Sequence, residues 1–219
     1  MRGRFHGGTG DSLRQASGAS LPPPLRLGAP GTPLVHAMTD PEANERLTAA
    51  AAVPIFVLLA VEGVTLLFLR PLLSLHIFVG LVLVLPVLLK IAVTGWRFAR
   101  YYLGDAEYAR RGPPRLLLRL IAPLLVLSSL AVLATGIALV FTGGHANLLL
   151  NLHKASFVVW VPAFGVHVLA YVWRVPRLAL AAARAQRFAV VGVFALAVAA
   201  SVLGVGYGHP VFDGDADLF

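Results

Sequence analysis

Five apolar windows of about 20 residues each, near 49–69, 72–95, 119–141, 148–172 and 188–207, constrain this chain more than any other feature. A helix needs that length to cross a hydrocarbon core of about 30 Å. Lipid offers no partner for backbone N–H and C=O groups, so spans of this kind must be helices that satisfy them internally. The expected fold class is therefore all-α: an integral membrane bundle of five transmembrane helices. Composition agrees, since 58% of the 219 residues are hydrophobic and only 13% are charged, where a soluble domain carries about 25%.

The flanks have a different texture. Residues 1–48 hold Gly-Gly pairs, Pro22-Pro23-Pro24 and scattered arginines, and are expected to be a disordered N-terminal tail. No uninterrupted apolar stretch near Met1 suggests a secretory signal, and Met38 is a second candidate start. Residues 49–207 form the expected membrane domain, and 208–219 a short acidic extracytoplasmic tail with Asp213, Asp215 and Asp217.

The absence of cysteine excludes disulfides, thiolate metal sites, cysteine-held iron–sulfur clusters and the C-x-x-C-H attachment of a covalent haem. A net charge of +8 does not point to nucleic acid, because the cations sit at span boundaries. Arg97, Arg100, Arg110, Arg111 and Arg115 separate spans two and three; Arg174, Arg177, Arg184 and Arg187 separate spans four and five. The opposite side has Arg70, the Gly143-Gly144-His145 turn and the acidic tail. The positive-inside rule then places the N-terminus inside and the C-terminus outside, so spans two and four run in the same direction.

Those two spans also repeat. A shift of 77 residues brings Leu75-His76 onto Leu152-His153, Trp96-Arg97 onto Trp173-Arg174, Arg100 onto Arg177 and Arg110 onto Arg187. The boundary residues alone are common interfacial markers, but the histidines are not. A parallel repeat of spans 2–3 and 4–5 is expected.

An ionisable side chain inside a membrane is a functional candidate by default, and here these are Glu62, His76, Lys90, His153, Lys154 and His167. His153 and His167 are 14 residues apart, about 40° short of four full turns and about 21 Å along a helix. The same interval joins His76 to Lys90, which the repeat places on His167. Two levels result: an outer pair, His76 with His153, and an inner pair, Lys90 with His167. Paired imidazoles at matched depth suit a planar cofactor ligated from both faces, and haem iron is the obvious candidate. Gly80, one turn after His76, is either a close approach for a porphyrin edge or a packing glycine. Ser156, Phe157, Trp160 and Phe164 continue the His153 face as a cofactor wall or as bundle core.

Only Lys90 and Lys154 are lysine among 18 basic residues, and both lie inside spans. Lys90 can ligate iron as a neutral amine, bind a propionate or snorkel to the inner headgroups; Lys154 and Arg70 are placed to pair with haem propionates, with snorkelling again the alternative. Glu62 is either an acceptor of quinol protons or a hydrogen-bonded structural residue. His6, His36, His145 and His209 read as spectators, and no hydrolytic or phosphate-binding motif is visible.

The Leu-His starts of two parallel spans, the His-x13-His interval and the arginine-rich inner loops resemble the membrane cytochrome b superfamily. The likeness is strongest to bacterial cytochrome b561-like proteins and the cytochrome b subunits of quinone-linked oxidoreductases. It covers residues 49–207 and implies haem-ligand roles for His76, His153 and His167, with electron transfer between a quinone pool and a partner subunit. Lys90 departs from the complete two-haem pattern, so one haem b at His76/His153 is expected and a second at His167 is left open. The expected surroundings are a lipid bilayer, the multi-pass plasma (inner) membrane of a bacterium. The competing class is a haem-free small transporter or a structural subunit whose histidines join helices.

Overall fold

The computed structural model describes residues 40–110, 112, 116–142 and 146–207. The expected tail up to residue 39, the acidic tail 208–219 and four of the histidines, His6, His36, His145 and His209, lie outside that set. Among the described residues all regular structure is helical: α1 (Pro41–Leu67), α2 (Leu69–Tyr102), α3 (Ala106–Ala109), α4 (Leu116–Thr142), α5 (Asn147–Tyr171), α6 (Val175–Leu180) and α7 (Arg184–Tyr207). Helices α1, α2, α4, α5 and α7 are long and apolar enough to cross a membrane; α3 and α6 are short turns between spans.

The first helix starts earlier than the expected boundary between residues 48 and 49. Asp40 caps it by accepting from the Glu42 N–H at 2.9 Å, Pro41 occupies its first turn, and Glu42 places a carboxylate at the positive end of the helix dipole. The polar residues of this extension are not solvated tail. Asn44 is fully buried and donates through Nδ2 to the Val93 carbonyl at 3.1 Å, while Gln186 of α7 reaches the Ala43 carbonyl at 2.9 Å. Around them Ala43, Leu47, Ala51 and Ile55 pack on Val79, Leu83 and Val93 of α2 and on Val190 of α7. Such polar links between helices are worth about 0.6 kcal/mol each in a membrane, so packing carries most of the association.

Helices α1 and α2 are separated only by Phe68, with a non-helical Leu72 (φ −111°, ψ 16°) just after Pro71. Proline cannot continue the preceding hydrogen-bond ladder, which accounts for the kink. After α2, Gly104 takes φ +80°, a left-handed conformation that favours glycine, and its N–H donates to the Tyr101 carbonyl.

Packing pairs α1 with α2 and α4 with α5, sets α7 against α2 and α1, and brings α2 to α4. At one end Glu45 of α1 holds Arg97 at 3.8 Å and Arg174 at 3.0 Å. These are the two arginines that the 77-residue shift superposes, so one carboxylate serves both.

A two-level cavity between helix pairs

A cavity of about 760 Å³ lies among α1, α2, α4 and α5. Its wall includes His76, His153, Lys154, Lys90 and His167, together with Glu62, Gly80 and Gly136. Both levels expected from the spacing therefore open into one space. Arg70, in the first turn of α2, is not among the lining residues.

At the outer level the His76 and His153 ring centroids are 6.4 Å apart and the ring planes are inclined by 83°. The two rings thus stand close together on the wall of one cavity.

At His153 the hydrogen bonds select the tautomer. His153 Nδ1 lies 3.1 Å from the Val132 carbonyl oxygen, which can only accept, so Nδ1 carries the proton. It also lies 3.1 Å from Thr135 Oγ1. That hydroxyl donates to the Ala131 carbonyl at 2.6 Å and is left to accept from the imidazole. His76 repeats the arrangement on the other side. Its Nδ1 meets Thr65 Oγ1 at 3.1 Å and Glu62 Oε1 at 3.2 Å, while Thr65 Oγ1 donates to the Glu62 carbonyl at 2.7 Å. In both cases the histidine is held by the helix that precedes its own. At His153 the carbonyl keeps the proton on Nδ1 and leaves Nε2 a lone pair, the arrangement that metal-ligating histidines characteristically show; at His76 both partners of Nδ1 are side-chain oxygens.

Two glycines make room for this. A Cβ on Gly136 would stand 3.2 Å from His153 Cε1, and one on Gly80 would stand 3.2 Å from Glu62 Oε1. Gly80 lines the cavity, but its close neighbour is the carboxylate of Glu62. Glu62 itself meets both His76 and Thr65.

Along α5 the wall between levels is aromatic. Phe157 and Trp160 have centroids 6.0 Å apart at 22°, and Trp160 and Phe164 stack at 4.4 Å and 12°. Trp160 Nε1 donates to Ser129 Oγ at 2.9 Å, and Ser129 donates to the Leu125 carbonyl at 2.6 Å. A hydroxyl that bonds back along its own helix and accepts from the facing one thus recurs at Thr65, Ser129 and Thr135.

The inner level is built differently. His167 packs against the Tyr171 ring at 5.0 Å, and Lys90 Nζ makes one long bond, 3.5 Å, to the Thr48 carbonyl. Among the described residues no group of three or more His, Cys, Asp or Glu side chains is set to hold a metal; a two-imidazole site needs none.

No protein-family model matches this chain, and neither a curated protein nor a solved structure is similar to it.

Proposed function

We propose that this chain is a membrane b-type cytochrome that carries single electrons between a quinone pool and a redox partner, in the plasma membrane of a bacterium. The observation that carries this reading is the His76–His153 pair, 6.4 Å between centroids, with both Nδ1 atoms hydrogen-bonded on the far side. Two imidazoles lining one largely apolar cavity, without cysteine or a third ligand beside them, would suit the iron of a haem. Haem held there supplies a reversible one-electron iron couple.

The chain's own residues do the rest. His76 and His153 would hold the iron. Thr65 with Glu62, and Thr135 with Val132, fix the rings. The apolar wall would keep water from the metal, and Lys154, which also lines the cavity, would pair with a propionate of the haem. The arginine distribution supports a position of this level near the non-cytoplasmic face, with the N-terminus inside.

The deciding measurement is a reduced-minus-oxidised spectrum of protein produced with ample haem. A b-type α-band with one non-covalent haem per chain is expected. Its absence would leave a haem-free transporter or structural subunit. Reporter fusions should place residues 97–115 in the cytoplasm, and the reverse pattern would invert the site.

A further inference from the structure

We infer that the inner end of the cavity, where Lys90 of α2 and His167 of α5 line an otherwise apolar space, receives the ring of a lipid-soluble quinone. This rests on the electron-transfer reading above and gives its quinone a place.

The inner level is short of hydrogen bonds. His76 and His153 both secure Nδ1, whereas neither ring nitrogen of His167 has a hydrogen-bond partner among the described residues. Lys90 has three N–H donors and one bond at 3.5 Å. Polar groups at membrane depth are costly unless satisfied, so two such groups on the wall of one cavity call for a ligand that satisfies them.

The surroundings narrow the chemistry. Val87, Ile91, Val126 and the Trp160–Phe164 stack supply flat apolar walls. A ligand that satisfies both groups must sit against apolar and aromatic walls and accept hydrogen bonds. A quinone ring with its two carbonyls has these properties. An anionic headgroup fits less well, since the arginine nearest by sequence, Arg97, already faces Glu45. A second bis-ligated haem fits less well too, because His167 lacks the far-side bond that orients the two outer imidazoles.

The electron count closes. One quinol oxidised to quinone releases two electrons and two protons. The two electrons would leave one at a time through the single haem, which the redox partner reoxidises between the transfers, and the two protons would pass one to His167 and one to water.

The test uses the full chain in lipid nanodiscs. An azido-substituted ubiquinone analogue, photoactivated, should label peptides from 87–98 or 157–167, and excess decylubiquinone should suppress the label. Lys90→Met and His167→Phe should each lower labelling at least tenfold and slow haem reduction by duroquinol to a similar extent. Reduction by dithionite, and the α-band, should be unchanged; Lys90→Arg should keep part of the labelling. Undiminished labelling in both variants, or labelling elsewhere, would overturn the inference. So would two haems per chain with one lost in His167→Phe. Loss of the α-band in both inner variants would likewise overturn it, assigning these residues to haem or to folding. A chain without haem that still shows the labelling would sink the cytochrome reading and leave this site standing.

Discussion

The two ends of the cavity share the same helices and the same 14-residue spacing, yet one is finished and the other open. At the outer end each imidazole has a hydroxyl and a second oxygen behind it, from the neighbouring helix. At the inner end His167 has a ring contact and Lys90 a single long bond. A side chain already secured from behind can hold an incoming metal without reorganising, which is what a permanently bound cofactor needs. Groups without such backing suit something that arrives and leaves.

The harshest way to break this contrast is to remove an outer ligand. His76→Ala or His153→Ala should abolish the α-band, whereas His167→Phe should leave it; equal losses at both levels would erase the distinction. The backing comes next. Thr65→Val and Thr135→Val remove an acceptor without changing shape, and haem retention against an apo-globin acceptor should weaken roughly 10- to 100-fold, with Thr→Ser restoring most of it. Retention unchanged in both valine variants would make the hydroxyls ordinary helix-packing groups.

A subtler difference separates the two outer histidines, because His76 is backed by a carboxyl group and His153 by a backbone carbonyl. Glu62→Ala removes the carboxyl behind His76 and leaves Thr65 in place, so the midpoint potential should shift by something on the order of tens of millivolts. A potential that stays put would separate Glu62 from the iron electronically. The smallest effect is expected far from the cavity. Glu45→Gln weakens partly exposed ion pairs worth about 1 kcal/mol at most, seen as a drop of a few degrees in thermal unfolding with the α-band intact.

Much of the outer level was legible in the sequence. Apolar length gives the spans, and the repeat singles out His76 and His153 at equal depth. Their backing was not legible. Thr65 and Thr135 look like ordinary polar residues in apolar helices, since 11 and 18 residues separate them from their histidines and no helical period links positions on different helices. Only the register between α1 and α2, and between α4 and α5, brings them together. Glu62 was visible as an intramembrane carboxylate at about the right depth, but its partner was not. The early start of α1 was readable after all: Asp40-Pro41-Glu42 is a cap, a first-turn proline and a first-turn acid, outweighed by the polarity of the next few residues. That polarity is real, but Asn44 spends it on the Val93 carbonyl.

Glu45 gives the molecule a chronology. It lies in the first span and is synthesised before either arginine that it holds. Arg97 reaches it once α2 has emerged, and Arg174 only after α5 is complete. Because the ribosome delivers the chain from the N-terminus, the second contact closes after His76, His153 and His167 have all been made. A nascent chain stalled anywhere before residue 174 lacks that closure, so the Glu45–Arg174 pair marks the moment at which both halves of the cavity first exist together.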